Sequence, residues 1–360
     1  MDIMIAKTVI SYPLDFQKSL KKAGNLRHAF AITRGEFIVI FDADLCPRAD
    51  FIQETLPYFY HDPNIAIVQT PQYFQIQKWQ TWVRKGAAYI QELFYRLIQV
   101  NRDYFDGSIC VGSNAMYRRK TLEPFGGTAA IDYSEDVHTG FNVTKNGQKV
   151  RYLPIVLAKG LCPDSLPGFF IQQYRWAMGS ISLLSSRAFW KAPLTLMQRV
   201  CYLSGMLYYI STGIGIFLTP LPSMLLVWFA PQHVFWYNTF FSLPSFLMGF
   251  ILIGLWSRAP FGIYGIRARA VSYYAHLFAL VDKVRHRTVA WIPSGVAQNV
   301  SRFSTFRNVM FWWTSLNTIW LFTGAFYHMS QYSYYNCIPA LFFASFNYII
   351  SMSVLKDQIE

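Results

Sequence analysis

Two long stretches of the chain consist of apolar, aromatic and small polar residues and carry no Lys, Arg, Asp or Glu. They run over residues 200–257 and 308–355. Each is more than twice as long as the roughly 20 apolar residues that a helix needs to cross a bilayer. The pattern therefore predicts four membrane spans, two over 198–257 and two over 308–355.

The first half of the chain has a different pattern, in which short apolar runs alternate with helical segments. The runs 37–41 and 65–70 predict buried strands of a largely parallel sheet. Helical patterns lie around them, at residues 25–31, 50–60 and 80–103. Because strands and helices alternate, this half is predicted to be an α/β domain, and ligands of such domains bind at the carboxyl ends of the strands.

Composition and charge agree with a membrane part. Hydrophobic residues make up 53% of the chain and charged residues only 14%, which is too apolar for an ordinary soluble protein. The segment 258–307 between the apolar stretches carries eight Lys or Arg, so the positive-inside rule places it in the cytoplasm. Two predicted spans precede this segment, so the first domain is expected to be cytoplasmic too.

The net charge of +13 raises the question of nucleic acid as a partner. Cations that flank membrane spans serve topology and contact anionic lipid, and no nucleic-acid-binding motif accompanies them here. We therefore expect the lipid bilayer, and no nucleic acid, as a partner. The five cysteines are scattered and lack metal-ligand spacing, which indicates reduced thiols.

Candidate chemistry begins directly after the first predicted strand. Asp42 and Asp44 are separated by one residue, and two such carboxylates form an oxygen site that suits Mg²⁺ or Mn²⁺. Such a site leaves coordination positions for phosphate oxygens. A solvated acidic turn is the alternative explanation of the same residues.

A second acidic group is Ser134-Glu135-Asp136, which is predicted to begin a helix. The Ser134 hydroxyl is expected to cap that helix by accepting a backbone N–H. One of the two carboxylates is a candidate general base for a group-transfer reaction. The alternative is that both acids only favour the positive end of the helix dipole.

The third group lies on a predicted amphipathic helix over residues 171–197. Gln172, Arg175 and Trp176 recur at positions i, i+3 and i+4, so they share one face. Arginine can donate two hydrogen bonds to a diphosphate, and tryptophan offers a flat surface for a sugar ring. An ordinary helix at the membrane interface is the alternative.

Five short motifs stand in order along the chain: Lys22-Ala23-Gly24-Asn25, Asp42-Ala43-Asp44, Ser134-Glu135-Asp136, Gln172-Gln173-Tyr174-Arg175-Trp176 and Trp291-Ile292-Pro293-Ser294-Gly295. Together with the charge-free stretches, they resemble the membrane-bound processive β-glycosyltransferases of family 2, the cellulose synthases and cellulose-synthase-like proteins. The resemblance covers nearly the whole chain. It implies an α/β GT-A-like glycosyltransferase domain, truncated at its N-terminus, followed by an α-helical transmembrane domain.

The resemblance also implies a role for each motif. Asp136 is expected to be the catalytic general base, and Asp42 and Asp44 to bind the metal of the nucleotide-sugar. The residues expected to bind nucleotide or substrate are Lys22, Gln172, Arg175, Trp176, Glu135, Cys110 and Gly112. Small residues around Cys110 and Gly112 would let the end of a glucan approach the backbone. The segment 291–295 resembles a divergent gating loop.

The expected domains are 1–170, a partial cytoplasmic glycosyltransferase domain; 171–197, the interfacial helix; 198–257, two spans; 258–307, a cytoplasmic gating segment; and 308–355, two more spans. The implied activity is transfer of glucose from UDP-glucose to a growing β-1,4-glucan in the bacterial plasma membrane. Synthesis of hyaluronan, chitin or a mixed glucan stays open, and so does a catalytically incompetent membrane subunit. Accessory subunits of a synthase complex are further expected partners.

In the family that the chain resembles, a first acidic motif binds the nucleobase and ribose of the donor. In this chain that motif would precede Met1. We therefore expect the chain as written to be inactive or nearly so, and the strand at 37–41 to expose an apolar edge.

Overall fold

The computed structural model describes residues 3–4, 14–131, 134–241, 243–252, 255, 262–287 and 301–356. The strands are β1 (Ile3–Met4), β2 (Phe37–Ile40), β3 (Leu45–Pro47), β4 (Ile65–Gln69), β5 (Tyr73–Phe74), β6 (Ala115–Arg118), β7 (Lys149–Tyr152) and β8 (Ala158–Gly160). The first eight helices are α1 (Leu14–Ile32), α2 (Phe51–His61), α3 (Trp82–Leu93), α4 (Val100–Tyr104), α5 (Arg119–Leu122), α6 (Glu135–Lys145), α7 (Leu166–Leu184) and α8 (Arg187–Lys191). They are followed by α9 (Leu196–Leu218), α10 (Leu221–Phe229), α11 (Leu243–Leu247), α12 (Gly262–Val284), α13 (Ser301–Tyr327) and α14 (Ile338–Lys356).

The central sheet has the strand order β1-β2-β6-β4-β7. Strands β1 and β2 are parallel, as are β4 and β7, but β6 runs antiparallel to both of its neighbours. The prediction of a largely parallel sheet therefore needs one correction. Ala115, the first residue of β6, lies opposite Ile40 and Gln69, the last residues of β2 and β4. The segment before β6 thus crosses the carboxyl ends of both strands.

Strand β2 is buried rather than exposed. Phe37 and Val39 are 3% and 4% accessible, and the Phe37 ring lies 4.9 Å from the ring of Phe59 on α2. On the side opposite β6, β1 pairs with β2 at Phe37 and Ile38, so the expectation of an exposed apolar edge is wrong for these two residues. A second, smaller sheet has the order β3-β8-β5 and lies beyond the end of β2 along the chain.

The helix predicted over residues 80–103 is confirmed, but it is not a regular α-helix. It begins at α3, where the Thr81 hydroxyl accepts a hydrogen bond from Arg84 N, and it ends with α4. Between them, residues Phe94–Gln99 are π-helical. Such segments accommodate an extra residue per turn. Here the Gln99 amide donates to Ile109 O at 2.8 Å, so the helix holds the start of the segment that leads to β6.

The helix predicted over 171–197 is wrong in extent and in surroundings. The side chain of Ser165 caps α7 by accepting from Gly168 N, and α7 ends at Leu184 before the separate short helix α8. More than half of α7 is buried, including Phe169 and Tyr174. It packs chiefly against α12 and α9, so it is a core helix of the molecule, and only α8 exposes a large aromatic side chain, Trp190.

Helix α12 packs against the first domain as well as against α9. A Cβ on Gly86 of α3 would lie 2.5 Å from Tyr264 O, so α3 and α12 cross in direct backbone contact. The Tyr174 hydroxyl of α7 donates to the carboxylate of Asp282 on α12 at 2.8 Å. The cationic segment predicted between the spans therefore begins as a helix that is part of the core.

Two stretches of the described residues are long and apolar enough to cross a bilayer, judged by length and composition: Leu196–Phe229 and Tyr335–Lys356. The first of these stretches continues through Pro220 into α10. Helix α13 does not reach the same apolarity, since Trp, Thr and Asn residues interrupt its aliphatic ones. The four predicted spans therefore stay a prediction, and the proposed gating loop 291–295 lies outside the described residues.

Candidate active site

The predicted metal carboxylates lie in a turn that follows β2. Leu45 N donates to Asp42 O at 3.0 Å and closes the turn, and Asp42 N donates to the hydroxyl of Ser113 at 2.8 Å. Asp42 is half-buried, whereas Asp44 is exposed. Partial enclosure of the carboxylate first, and then the charge of Asp42, raises the pKa of Asp44 above its ordinary value. The two carboxylates therefore repel each other, as expected of groups that bind a shared cation.

Lys22 supplies a cation at this turn. It lies within α1, which begins well before the helix predicted from residue 25. Its ammonium nitrogen is 2.7 Å from Asp42 Oδ1 and 3.6 Å from Glu135 Oε1. Burial by itself would favour the neutral amine, but the charges of Asp42, Glu135 and Asp136 outweigh it and raise the pKa of Lys22. Lys22 thus joins the strand-end acids to the Ser-Glu-Asp motif.

The donor set fits Mg²⁺ or Mn²⁺ bound together with a diphosphate. Both groups are carboxylates, which these metals prefer, and the Lys22 ammonium already stands where positive charge is required. Among the described residues, no cluster of three or more His, Cys, Asp or Glu side chains could hold a metal by itself. Two carboxylates leave coordination positions for phosphate oxygens and water.

The Ser-Glu-Asp motif begins α6, but the Ser134 hydroxyl does not cap the helix. Ser134 has φ 50° and ψ 46°, a left-handed conformation, and makes no side-chain cap hydrogen bond. A capping hydroxyl normally requires an extended backbone at this position. The predicted cap is therefore wrong, and the Ser134 side chain lies against Gly179 of α7 instead.

Asp136 is the second residue of α6 and lies half-buried beside Glu135. Burial and the adjacent charge of Glu135 raise the pKa of Asp136 to about 7, and the positive charge of Lys22 opposes this rise. A carboxyl group with a pKa near 7 exchanges its proton readily at neutral pH. Glu135, which is 9% accessible, points to Lys22.

Gly112 and Cys110 both lie in the segment before β6 and both pack against α6, Gly112 at Asp136 and Cys110 at Gly140. Gly112 has φ 74°, and a Cβ there would lie 2.7 Å from the Cβ of Asp136, so only glycine fits beside this carboxylate. Cys110 is fully buried, with its thiol 3.1 Å from the Tyr117 hydroxyl, and burial raises the pKa of the thiol to about 12. A side-chain contact of Cys110 with substrate is therefore excluded, and contact through the backbone stays a prediction.

Gln69 holds this segment in place, which the sequence patterns did not indicate. Its buried amide donates to Ser113 O at 2.8 Å and accepts from Val111 N at 2.9 Å. A single side chain thus joins the end of β4 to two residues of the segment before β6. Through Ser113, Gln69 also fixes the backbone of Asp42.

Helix α7 presents the Gln-x-x-Arg-Trp residues as the sequence spacing predicts. Gln172, Arg175 and Trp176 are all half-buried, whereas their neighbours Gln173 and Tyr174 are buried. One turn after Arg175, the helix reaches Gly179 and contacts the first residue of the Ser-Glu-Asp motif. The helix face that carries Arg175 therefore continues to the contact with the Ser-Glu-Asp motif.

The structure thus brings four of the five motifs to one end of the sheet: Lys22 from α1, the acids after β2, the start of α6, and α7. The family model described as glycosyl transferase family group 2 matches residues 37–350. The chain belongs to this family. The glycosyltransferase family expected from the motifs is therefore confirmed.

Relatives within glycosyl transferase family group 2 include bacterial cellulose synthases. The chain is 38% identical over 189 residues to the cellulose synthase 1 catalytic subunit (UDP-forming) of Komagataeibacter xylinus, which covers 51% of this chain and 25% of that protein. It is 34% identical over 197 residues to the cellulose synthase catalytic subunit (UDP-forming) of Pseudomonas fluorescens (strain SBW25), covering 52% and 26%. The chain thus spans about a quarter of the length of these relatives.

The fold agrees with a solved family-type structure. A mannosyltransferase from Pyrobaculum calidifontis, solved in complex with GDP-Man and Mn²⁺, matches with a TM-score of 0.51 and 17% identity, covering 73% of this chain and 67% of that one. At this level of identity the match supports a GT-A-like fold and nothing finer. The predicted fold of the first domain is confirmed at that level.

Proposed function

We propose that this chain is the catalytic part of a membrane-bound inverting glycosyltransferase that adds glucose from UDP-glucose to a growing β-1,4-glucan. The observation that carries the proposal is the ionic cluster at the end of the sheet. Lys22 contacts both Asp42 and Glu135, and its charge acts on the neighbouring Asp136. Groups suited to hold a diphosphate and a group suited to remove a proton therefore lie side by side.

In this proposal Asp42 and Asp44 hold Mg²⁺ or Mn²⁺, which would act as a Lewis acid on the departing diphosphate. Lys22 and Arg175 contact its phosphate oxygens, and Gln172 and Glu135 orient the donor and acceptor. Trp176 stacks on the sugar at the acceptor end, and Gly112 leaves space for that sugar beside Asp136. These roles are supported by the motif in which each residue stands and, for Lys22, Glu135 and Gly112, by the contacts around the cluster.

The transfer step needs one base. Asp136 accepts the proton of the acceptor hydroxyl while the oxygen attacks the anomeric carbon of the donor. The bond from that carbon to the diphosphate oxygen breaks, and UDP leaves with the electron pair. Because attack and departure take place on opposite faces of the sugar, an α-linked donor gives a β-linked product.

We further propose that the polymer is passed outward through the helical part of the protein, which lies in the bacterial plasma membrane. The two apolar stretches and the charge-free sequence around them support this location. The contacts of α12 with α3 and α7 support placing the cationic segment on the same side as the catalytic cluster.

The test uses membranes of cells that carry the gene at its own locus, so that everything encoded with it is present. Membranes with the wild-type allele should incorporate radiolabelled glucose from UDP-glucose into a polymer that a β-1,4-glucanase digests. The Asp136→Asn allele should abolish incorporation, whereas a matched change of an exposed acid, Asp164→Asn, should not. Incorporation of labelled N-acetylglucosamine from its UDP donor into a polymer that chitinase or hyaluronidase digests, with no incorporation of glucose, would replace the proposed product. Elongation by the Asp136→Asn protein would refute the base.

A further inference from the structure

The side chain of Ser134, at the start of α6, packs directly on the backbone of α7 at Gly179. A Cβ built on Gly179 would lie 1.7 Å from the Ser134 hydroxyl oxygen and 2.3 Å from its Cβ. Rotation of the serine side chain would relieve only the first of these contacts. Any side chain at Gly179 would therefore displace the backbone at the start of the Ser-Glu-Asp motif.

Hydrogen bonds reinforce the same contact one turn further along both helices. The Nε2 of His138 lies 3.0 Å from the Ser182 hydroxyl, and that hydroxyl donates to Gly179 O at 2.6 Å. Ser134 and His138 are four residues apart and Gly179 and Ser182 are three apart, so each pair lies on one helix face. Burial first lowers the pKa of His138 to about 4, which keeps the imidazole neutral in this contact.

A second glycine limits the motif from another direction. Gly112 lies against Asp136, where a Cβ would come within 2.7 Å of the aspartate Cβ. The catalytic turn is therefore confined between two positions without side chains, one before β6 and one on α7. A shift of the backbone at either glycine would move the Asp136 carboxylate.

We propose that Gly179 is a positioning residue that sets the distance between Asp136 and the face of α7 that carries Arg175 and Trp176. The inference rests on the proposed function, because it assigns α7 two tasks in that reaction: binding of the substrates and positioning of the base. Arg175 precedes Gly179 by four residues, about 6 Å along an α-helix. One rigid segment of α7 thus carries Arg175 and Trp176, which are assigned to the donor and acceptor, and Gly179, which contacts the motif of the base.

The experiment pairs Gly179→Ala with the double change Gly179→Ala and Ser134→Gly. The double change removes the serine Cβ that the new methyl group would meet, and glycine adopts φ 50° without strain. Gly215→Ala is the matched control, because it adds a methyl to another helix where the nearest atom is 3.6 Å away. All alleles are assayed in membranes, with the amount of protein measured by immunoblot.

We expect Gly179→Ala to lower kcat for polymer synthesis about 10- to 100-fold, since a displacement of about 1 Å can cost 100-fold. KM for UDP-glucose should change less than about threefold, because the base does not bind the donor. The double change should recover at least about tenfold in kcat, and Gly215→Ala should match the wild type. This split and rescue would not result from a merely structural loss.

An unchanged kcat for Gly179→Ala, or a double variant no better than the single one, would overturn the inference while the wild-type enzyme still makes polymer. If Gly179→Ala protein does not accumulate, the double variant decides alone: wild-type-like abundance and kcat support the contact, and absence of the protein refutes it. If wild-type membranes make no polymer, it is the proposed function that fails, and this inference fails with it.

Discussion

The ammonium group of Lys22 lies 2.7 Å from a carboxylate oxygen of Asp42. A residue from the first helix therefore occupies the position next to the acid that is proposed to bind metal. The same ammonium lies 3.6 Å from Glu135, so it connects Asp42 to a motif that lies about 90 residues later in the sequence. When metal and diphosphate bind, Lys22 has to exchange a carboxylate partner for a phosphate partner.

This exchange leads to a prediction for Lys22→Met. Without the ammonium, Asp42 is free to bind metal, so affinity for Mn²⁺ alone should rise several-fold. Affinity for UDP in the presence of Mn²⁺ should fall about tenfold, because a charge-assisted contact to phosphate is lost. Electron paramagnetic resonance of free Mn²⁺ and calorimetry with UDP measure the two values. Lys120→Met, at an exposed site, is the control; equal or weaker Mn²⁺ binding by the Lys22→Met protein would contradict the exchange.

Asp44→Asn should abolish metal-dependent binding of UDP. The change removes a negative charge and leaves Asp42 as the only carboxylate of the site, and one carboxylate is a weak ligand for a divalent ion at micromolar concentrations. Calorimetric titrations of UDP with Mn²⁺ and with EDTA would be compared for wild type, Asp44→Asn and the exposed-site control Asp164→Asn. UDP binding that keeps its dependence on Mn²⁺ in the Asp44→Asn protein would show that the metal is held elsewhere.

Asp136→Asn should stabilise the protein while it removes activity. The folded-state pKa of Asp136, about 7, lies above the ordinary value of 3.8, so the folded chain holds the proton more tightly than the unfolded chain. The stability from protonation is complete below about pH 4 and is lost as the pH rises through 7. At pH 8 the Asn variant should therefore be more stable than wild type by about 1–3 kcal/mol.

The predicted gain in stability is tested by measuring the difference in unfolding free energy between wild type and Asp136→Asn at pH 8 and at pH 5. The difference should shrink at the lower pH, because the wild-type carboxyl becomes protonated and resembles the amide. Thermal unfolding of both proteins in the same detergent gives the comparison, with Asp164→Asn as a control for the removal of an exposed acid. A variant that is less stable than wild type at pH 8 would show that ionised Asp136 is well satisfied.

The predicted membrane topology implies that a reagent outside the cell reaches one of two exposed positions and not the other. A cysteine in place of Ile263, at the start of α12, should resist an impermeant thiol reagent applied outside intact cells, whereas one in place of Met329 should react. The native cysteines are removed for this comparison, and permeabilised cells show that both positions can react. The reverse pattern would place the catalytic cluster on the outer side.

The α/β class of the first domain and the strands at 37–41 and 65–70 were predictable, because continuous apolar runs bounded by polar residues are typical of buried strands. The reversed direction of β6 was not predictable, since Ala115–Arg118 is short and mixed in polarity. Its orientation depends on Gln69, whose amide holds the preceding segment by contacts 42 and 44 residues away in sequence. No local pattern carries such information.

In the candidate site, too, features set by local spacing were predictable and features set by distant contacts were not. Spacing correctly placed Gln172, Arg175 and Trp176 on one face, because the helix period alone decides this. The Ser134 cap failed because its backbone is left-handed, which results from the packing of α7 and not from neighbours in sequence. The role of Gly179 was hidden for the same reason: an isolated glycine in a helical pattern does not show which surface it meets.

The position of Cys46 makes the turn after β2 accessible to chemical labelling. Of the five cysteines, all of which lie in the described part of the chain, only this one is exposed; Cys110, Cys162 and Cys201 are buried and Cys337 is half-buried. Cys46 stands two residues beyond Asp44, on the strand that leaves the turn. The native chain therefore carries a single readily labelled handle beside its acids, and a fluorophore attached there would report the arrival of a nucleotide by a change in emission, with no residue of the cluster altered.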